Sequence, residues 1–511
     1  MHLGAYVRNR NPMMLVKVQY RTGIRPLQIV APLLILSLLQ IVAFAQGPDP
    51  QRRQLLNGLH ILLWSRPGDQ DVILKLRIHS GAAFDPAGKD GTMALLGDLL
   101  FPDPGTHAYF TEESRDGRLD VETNYDSINI TLKGRESDYD RIVDILRAAL
   151  VTTPPTAEEV VKARESRIAQ LKITKRSAGE VADWAIAERL LGSFPYTHPI
   201  GGTVESLGRV ERADLLSARE RFLNPNNATL VIAGGVDERR AMRAVRQLLG
   251  GWRKSDQIIP ATFRQPPPPD ARTLIVNSPD TQTAEIRLAT RGVARSDPDF
   301  FVASLLAALA QHRWQNLQPE PGKNALFARL DGHSLPGMFV IGASADSASA
   351  AKTLDKAKAV IKSLMETPPS PAELQDAKIS FNSSRLQVKQ DTAEALANSW
   401  LDIDTYDLPA ISEQNRLSNA VTATDLQRVA ARLFRDAPTA SVAVGNSEQL
   451  MTQLAPANKI VLAEELAKPK EPEPKSVTDS TQTENPRRAP GFKFKKPNPM
   501  VKSTKPAEKP D

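Results

Sequence analysis

Metal binding and acid–base chemistry in this chain must come from histidine and carboxylate side chains, because its 511 residues include no cysteine. The lack of cysteine excludes disulfides, iron–sulfur clusters, thiolate zinc sites and cysteine nucleophiles. Two histidines three or four residues apart on a helix commonly form the core of a zinc site. No pair with that spacing occurs among the histidines that follow residue 45, which are His60, His79, His107, His198, His312 and His333.

Two glycine pairs are the remaining features that could bind a phosphate group. Gly201-Gly202 follows a proline turn, and Gly234-Gly235 closes an apolar strand. Neither pair lies in a G-x-G-x-x-G or G-K-S/T motif, so a Rossmann or P-loop nucleotide site is not supported. Both pairs are interpreted as turns.

The positive charge of the chain is concentrated at its two ends. Lysine and arginine number 65 against 59 aspartates and glutamates, which gives a formal net charge of +6. Residues 1–45 and 466–511 each contribute +5, which leaves −4 for the body between them. A nucleic-acid-binding body is therefore disfavoured, and we predict no nucleic-acid partner.

Residues 27–45 form an apolar run that follows a basic leader and ends in Ala43-Phe44-Ala45. Small residues at the first and third positions before Gln46 are typical of a signal-peptidase site, so residues 1–45 are predicted to be a signal peptide. An uncleaved anchor is the alternative, because about twenty apolar residues can span a bilayer. Both interpretations predict export to the periplasm or cell envelope of a bacterium.

The C-terminal residues 467–511 are rich in proline and lysine and poor in apolar side chains. Such a segment cannot bury enough apolar surface to offset its ordering entropy, so it is predicted to be a disordered tail. Its patch Phe492-Lys493-Phe494-Lys495-Lys496 could contact anionic lipid, cell wall or a partner. Weak membrane or envelope contact through the termini is therefore open.

The body between the two ends contains an internal duplication. Similar segments recur in one order at an offset of about 211 residues. The matched pairs include Ile128–Leu132 with Phe339–Ala343, Pro154–Glu159 with Pro368–Glu373, and Ala228–Gly234 with Thr439–Gly445. The repeats predict two copies of one domain, at 47–262 and 271–466, joined by a proline-rich linker at 263–270.

Each copy is predicted to contain the same succession of strands and helices. A period-2 strand precedes an apolar helix, at Thr92–Phe101 in the first copy and Phe300–Ala310 in the second. An amphipathic helix follows a further strand, at Asp138–Leu150 and Ala351–Met365, and Thr156 is the predicted N-cap of the next helix in the first copy. This order predicts an α+β fold in which a mixed sheet carries helices packed on one face.

Several segments of the body together carry a family resemblance. They are Leu56-Asn57-Gly58-Leu59, Gly81, Gly91, Phe194–Gly202, Phe222–Ala228 and Ala233–Asp237 in the first copy, and Thr422–Leu426 in the second. As a set they resemble the M16 (pitrilysin/insulinase-like, mitochondrial-processing-peptidase-like) zinc metallopeptidases, and the second copy is similar to the family's inactive C-terminal domain. The resemblance implies a tandem duplication of an M16-type (LuxS/MPP-like) domain, in chains that often work as dimers.

The M16 resemblance also implies a metal motif, H-x-x-E-H, on the first helix of the first copy. Its two histidines hold zinc, and its glutamate takes a proton from zinc-bound water. Here Ala94 and Asp98 align with the histidines and Gly97 with the glutamate. A distant glutamate ligand should fall near Gln170-Leu171, and only a slip of several residues would bring in Glu165. We therefore predict no catalytic and no metal-binding residue here, and zinc only in an active partner chain.

Active members of the family also use an arginine and a tyrosine of the second copy, in a segment resembling L-R-E-x-x-G-L-x-Y. With Leu317 and Gly322 as anchors, the arginine becomes Gln318 and the tyrosine becomes Ala325. A subunit that supplies only this pair to a zinc-bearing partner is therefore also in doubt.

Three further expectations concern polar residues near the aligned site. Asp98 is expected to face a polar cleft or a partner, since a single carboxylate is far short of a zinc ligand set. His198 is expected to be structural, and Asp126 is expected to hydrogen-bond locally.

The leading functional hypothesis is an exported, non-catalytic M16-like subunit that pairs with an active M16 chain, as a heterodimer or homodimer. One alternative is an active zinc metalloendopeptidase with atypical ligands. Another is a stand-alone scaffold that binds peptides or unfolded protein segments, for instance by strand addition. No individual binding residue can be predicted from the sequence.

Overall fold

The structure is a computed structural model that describes residues 49–466, except 115, 152–153, 175, 258–262, 264–265, 280, 282, 318–325 and 388–391. The predicted signal peptide, the C-terminal tail and part of the linker lie outside the described residues. The same is true of Gln318, Gly322 and Ala325, so the replaced arginine and tyrosine positions stay predictions.

The first copy is built on a six-stranded mixed sheet in the order β1-β2-β6-β3-β5-β4. Strands β2 and β6 are parallel, and the other neighbouring pairs are antiparallel. Its strands are β1 (Gln51–Gln54), β2 (His60–Ser65), β3 (Asp71–Ile78), β4 (Arg118–Thr123), β5 (Ile128–Arg135) and β6 (Ala228–Gly234).

The second copy has a six-stranded sheet in the order β12-β7-β11-β8-β10-β9, in which five strands repeat the first sheet. Its strands are β7 (Thr273–Asn277), β8 (Thr283–Arg291), β9 (Leu326–Gly332), β10 (Pro336–Asp346), β11 (Ala440–Gly445) and β12 (Ile460–Leu462). The pairing of the central strands is also repeated. Val231 of β6 lies opposite Lys75 of β3, and the equivalent Val442 of β11 lies opposite Arg287 of β8. The edge strand differs, because β1 is antiparallel to β2 whereas β12, from the end of the copy, is parallel to β7. The predicted α+β fold with a tandem duplication is confirmed.

The helices follow the predicted order with shifted ends. Those of the first copy are α1 (Thr92–Asp98), α2 (Pro104–Ala108), α3 (Tyr139–Val151), α4 (Ala157–Ile173), α5 (Ala178–Leu191), α6 (Val204–Gly208), α7 (Arg212–Phe222) and α8 (Glu238–Leu249). Those of the second are α9 (Phe300–Leu317), α10 (Ala350–Glu366), α11 (Pro371–Gln387), α12 (Ala393–Tyr406), α13 (Ile411–Ala420), α14 (Ala423–Phe434), α15 (Ser447–Leu454) and α16 (Ala463–Leu466).

Helix α1 ends earlier than predicted, and helix α9 continues further. Pro102 follows α1 closely, and the residue before a proline is disfavoured in a helix, so the predicted extension to Phe101 was wrong. Thr156 caps α4 as predicted, because its hydroxyl accepts the Glu159 amide hydrogen bond at 3.2 Å.

Each sheet packs most helices of its own copy against one face, as predicted, and these form two separate apolar cores. The opposite face of each sheet is covered by a helix from the other copy. Helix α12 packs on the first sheet through Trp400 and Leu401. Helix α5 packs on the second sheet through Ile186 and Leu190. Among the described residues, no helix is long and apolar enough to cross a membrane.

Candidate functional site

Helix α1 carries the three positions that align with a metal motif, and its N-terminus is tightly held. Gly91 precedes the helix with φ at 91°, a left-handed conformation that favours glycine. The Asp85 carboxylate accepts hydrogen bonds from the amides of Gly91 and Met93, both at 2.7 Å. Burial raises the pKa of Asp85 to about 7 in spite of these bonds. The start of α1 is therefore anchored by a buried carboxyl group.

Gly97, at the aligned glutamate position, allows α1 to lie close to strand β4. A Cβ atom added there would stand 3.0 Å from the Thr123 hydroxyl oxygen and 3.4 Å from a methyl group of Val121. Ala94, one turn earlier, is buried with 3% of its surface exposed. Any side chain at position 97 would therefore require the Thr123 side chain of β4 to shift by a few tenths of an ångström.

Asp98 forms a bidentate ion pair with Arg167 of helix α4. The guanidinium Nε lies 2.8 Å from Asp98 Oδ2, and Nη2 lies 2.7 Å from Oδ1. Nη2 also lies 3.4 Å from the carbonyl oxygen of Ala94. Burial raises the pKa of Asp98, and the charge and hydrogen bonds of Arg167 oppose that rise. Asp98 therefore faces a cation on a neighbouring helix of its own chain.

A zinc ion does not fit the side chains at this site. Ala94 and Gly97 offer no donor atom, and both oxygens of Asp98 already accept from Arg167. Glu165 and Gln170 are exposed on α4. Across the described part of the chain, no group of three or more histidine, aspartate or glutamate side chains is placed to hold a metal ion. Sequence reasoning missed Arg167 because it searched α4 only for a carboxylate.

The Asp126 carboxylate connects the two copies. It was expected to form a local hydrogen bond, and that expectation was wrong for the carboxylate. The Tyr196 hydroxyl donates to Oδ1 at 2.9 Å, while the Ser334 amide and the Tyr406 hydroxyl donate to Oδ2 at 3.1 and 3.2 Å. Burial would raise the pKa of Asp126, but hydrogen bonds from His333, Tyr196 and Ser334 hold it below its usual value. Only its backbone amide bonds locally, to the side chain of Asn124.

Two of the six histidines meet, around Asp404 of α12. His60 Nδ1 lies 3.5 Å and His79 Nε2 lies 3.9 Å from Asp404 Oδ2. His79 also hydrogen-bonds Thr229 at 2.9 Å. Burial lowers the pKa of His79 to about 4, although Asp404 opposes this shift. This cluster joins the first sheet to a helix of the second copy.

The other four histidines lie apart from that cluster. His107 contacts the Phe101 carbonyl oxygen at 2.9 Å, and His312 contacts Asn316 at 3.4 Å. His198 Nδ1 lies 4.0 Å from Asp85 Oδ2, behind the start of α1. His333 Nδ1 lies 3.4 Å from Asp126 Oδ2. None of the four lies against the side chain of Asp98.

A cavity of about 390 Å³ lies between α5 of the first copy and the β9–β10 hairpin of the second. Leu191, Tyr196 and Met338 contribute apolar surface to its lining. Trp184 is 37% exposed at this cavity, and the Arg176 guanidinium lies 5.4 Å from its ring centroid. Sequence analysis could not identify this cavity, because its walls come from segments more than a hundred residues apart.

Comparison with known proteins relates this geometry to one family. The family model described as "Peptidase M16 inactive domain" matches residues 209–381, from the end of the first copy into the second. The beta subunit of the mitochondrial-processing peptidase of Saccharomyces cerevisiae is 23% identical over 273 residues. That stretch is 52% of this chain and 59% of the yeast subunit, so the match spans less than two thirds of that relative.

Solved structures show the same fold over most of the chain. A peptidase M16 inactive domain from Pseudomonas fluorescens aligns with a TM-score of 0.69 and 18% identity, over 78% of this chain and 98% of that one. The periplasmic protease PqqL from Escherichia coli aligns with a TM-score of 0.66 and 17% identity, over 84% of this chain and 51% of PqqL. The resemblance to M16 chains is confirmed.

Proposed function

We propose that this chain, a homologue of the M16 peptidases that lacks the inverted zinc motif, is an exported and non-catalytic subunit that pairs with an active M16 chain. It would supply the scaffold of a two-chain assembly, while the partner would hold the zinc ion. The observation that carries the proposal is the Asp98–Arg167 ion pair at the position of the aligned metal motif.

The chemistry of the site supports a non-catalytic role. A catalytic zinc site needs three protein ligands and an open position for water. The Arg167 guanidinium instead places a fixed positive charge on the only carboxylate of the aligned motif. A general base at position 97 would require replacement of Gly97 together with a small shift of the Thr123 side chain on β4. The aligned site therefore lacks both histidine ligands and the general base that hydrolysis would need.

Two relatives support the pairing. One is by its name a subunit of a peptidase. The other, PqqL, aligns with this chain over only 51% of its own length. PqqL therefore has room for a second region of similar length within one chain. We infer that a second M16 chain takes that place here.

Two observations support export. The first is the apolar run 27–45, which ends in the small-residue pattern of a signal peptidase site. The second is that one structural neighbour, PqqL, is described as periplasmic. We propose a periplasmic or cell-envelope location on these grounds.

The test is co-expression of this chain with an M16 chain from the same organism that carries the intact zinc motif. We expect one stoichiometric complex in size-exclusion chromatography with light scattering, and peptide hydrolysis by that complex that a chelator abolishes. A partner with its motif glutamate replaced by glutamine is the matched control, and its complex should form without hydrolysis. If the two chains elute apart, the pairing is wrong.

Zinc content of the isolated chain separates the proposal from an active enzyme with atypical ligands. We expect less than about a tenth of an equivalent after dialysis, and the same value for Asp98→Ala, because Asp98 is only one ligand. About one equivalent of zinc in the isolated chain, together with chelator-sensitive proteolysis, would overturn the non-catalytic assignment.

The cavity at Trp184 supports a second candidate function, a stand-alone peptide-binding protein. A largely apolar pocket with an aromatic wall suits a peptide side chain, and the acids Glu180, Asp183 and Asp331 together with Arg176 in its lining could bind polar groups of the peptide. Under this alternative, the isolated chain would bind extended peptides, and Trp184→Ala would weaken binding at least tenfold. Val161→Ala, at another half-exposed apolar side chain, is the control. Equal affinities of the two variants would exclude this cavity as the binding site.

A further inference from the structure

Helix α8 presents a row of arginines on the outer face of the first copy. Arg239, Arg243 and Arg246 are spaced by four and three residues, which places them on one face of the helix. All three are exposed, and none forms an ion pair within the described part of the chain. Together with Glu238, Met242 and Gln247 they line an open groove of about 590 Å³.

The acidic residues around α8 offset this row only in part, through the interaction of Asp237 with Arg239 and Arg243. The Asp237 carboxylate caps the helix by accepting from the Arg240 amide at 3.0 Å. Glu238 accepts from Arg53 of β1 at 2.6 Å. The fourth arginine of the helix, Arg240, turns the other way and pairs with Glu136 and Asp140. Three exposed cations therefore stand against one exposed carboxylate, that of Asp237, and the excess positive charge is available to an external anion.

The fold alone does not require these arginines. The helix that follows the equivalent strand in the second copy is α15, with the sequence SEQLMTQL and no lysine or arginine. Its apolar residues Leu450 and Leu454 are fully buried, as the apolar face of α8 is. Packing thus needs only the inner face of such a helix, and the basic outer face belongs to the first copy alone.

Two neighbouring features identify what kind of anion this face meets. The β1–β2 turn is fixed beside the end of α8, because the Asn57 side chain donates to the carbonyl oxygens of Leu249 and Trp252 at 2.9 and 3.1 Å. At that turn Leu56 is 107% exposed. An exposed apolar side chain at the end of a basic helix face is typical of surfaces that insert shallowly into an anionic bilayer.

The start of β1 gives the second feature. Arg53 ties β1 to α8, and only residues 46–50 separate β1 from the apolar run that ends at Ala45. Five residues can span at most about 18 Å. In the alternative in which that run stays uncleaved as an anchor, β1 and α8 would be held within reach of the membrane surface.

We propose that the outer face of α8, with Arg239, Arg243, Arg246 and Leu56, is a peripheral docking surface for anionic phospholipid membranes. The arginines bind lipid phosphates, and Leu56 enters the headgroup layer. This surface lies on a different helix from the Asp98–Arg167 pair and does not depend on the proposed pairing.

The test uses the exported chain as recovered from the producing cells and a fluorescent label at Gln247→Cys, which is unique because the chain lacks cysteine. Quenching by a lipid-attached quencher is measured with vesicles of phosphatidylcholine, with and without 30 mol% phosphatidylglycerol. We expect quenching only with the anionic vesicles and its loss in high salt. The same label at Lys352→Cys, on α10 of the second copy, should stay unquenched.

Variants then assign the effect to the named residues. At about 1 kcal/mol for each arginine near an anionic surface, R239Q/R243Q/R246Q should raise the lipid concentration for half-maximal quenching about a hundredfold. The control K352Q/K356Q/K362Q removes the same charge from α10 and should change it less than twofold. Leu56→Ser should raise the lipid concentration for half-maximal quenching about fivefold.

Three results would overturn the proposal. The first is equal quenching with neutral and anionic vesicles, and the second is an unchanged midpoint in the triple arginine variant. The third is binding of polyglutamate by the arginine face without any binding of vesicles, which would assign the surface to an acidic protein.

Discussion

The two helices that cross between the copies, α5 and α12, solve the same packing problem with different side chains. Helix α5 covers the second sheet with small apolar residues such as Ala182 and Ala185. Its charged contact with that sheet is made by one half-exposed acid, Asp183, which pairs with Arg287 at 2.5 Å and with Arg329 at 3.4 Å. Helix α12 covers the first sheet with Trp400 at its centre.

Helix α12 is also surrounded by several polar links to the first sheet. Lys75 lies 2.8 Å from Asn398 and 3.0 Å from Glu394, and Arg77 lies 2.7 Å from Asp402. The α5 contact therefore depends mainly on close apolar packing. The α12 contact depends on one large side chain and on charges, so it should respond to pH and to loss of a charge.

Replacement of Trp400 by alanine should give the largest effect. The side chain is fully buried and meets Trp64 edge-on at a centroid distance of 5.7 Å. Its removal leaves a cavity, so we expect a loss of about 3–5 kcal/mol in the free energy of unfolding, measured by denaturant titration.

The change on α5 to compare with Trp400→Ala is Ala182→Leu. Helix α5 packs through alanines, so its contact is disturbed by a larger side chain rather than by a smaller one. Ala182 is fully buried, and overpacking of this kind costs about 1–3 kcal/mol. A smaller loss in Trp400→Ala than in Ala182→Leu would contradict the comparison.

The second effect is a pH dependence that belongs to the α12 side. Burial lowers the pKa of His79 to about 4, against about 6.5 in an unfolded chain. The unfolded state therefore binds the proton more readily between pH 6.5 and 4. The contribution of neutral His79 to stability is complete above pH 6.5 and is lost as the pH falls to 4, by up to about 3 kcal/mol.

Urea denaturation at several pH values between 4 and 7 measures this contribution. His79→Gln should flatten the decline in stability with falling pH, whereas His312→Gln in the second copy should leave its slope unchanged. Parallel curves for His79→Gln and the unmodified chain would show that His79 titrates alike in the folded and unfolded states.

The third effect compares one acid on each crossing helix. Asp402→Ala leaves Arg77 with only uncharged hydrogen-bond partners such as Asn129, and it also removes a partner of Arg295. Asp183→Ala also takes a partner from two arginines, but each keeps another carboxylate: Arg287 keeps Glu285 at 3.0 Å and Arg329 keeps Asp331 at 2.9 Å. Both acids are about one-third exposed, so we expect about 2–3 kcal/mol for Asp402→Ala and about 1 kcal/mol for Asp183→Ala.

Thermal and denaturant unfolding of both variants, with Asp402→Asn as the conservative form, would measure this difference. The amide oxygen in Asp402→Asn would still accept a hydrogen bond from Arg77, so this variant should recover part of the loss. Equal destabilisation by both alanine variants would mean that the two contacts do not differ in their dependence on charge.

The smallest effect belongs to a pair that lies outside both crossing contacts. The Asp98 side chain is 40% exposed, and exposed ion pairs contribute little, so Asp98→Ala should cost about 1 kcal/mol or less. The loss should shrink further in 1 M salt, measured by unfolding at two ionic strengths. A cost above about 3 kcal/mol would show that Asp98 and Arg167 are an essential part of the core.

Local signals in the sequence predicted the repeated fold well. The alternating strands and the N-cap at Thr156 depend on neighbouring residues, and the duplication is visible as similar segments at a nearly fixed offset. Each of these predictions was confirmed. The glycine-punctuated motifs carried the M16 resemblance, because glycines mark backbone conformations that few other residues adopt.

Contacts between distant segments could not be predicted in the same way. Asp126 was expected to bond within its own loop, but its carboxylate accepts from Tyr406, 280 residues away. Arg167 was overlooked, although it is the residue that contacts Asp98. The crossing of α5 and α12 depends on how two whole copies pack, and neither helix shows a pattern that names its partner sheet.

The exchange of α5 and α12 has a consequence for how this molecule can be divided. A fragment that ends at the proline-rich linker would keep its own layer of helices but would expose the bare underside of its sheet, including Leu62 and Val231. Expressed alone, either half should aggregate, and the two halves produced together should recombine as a split protein.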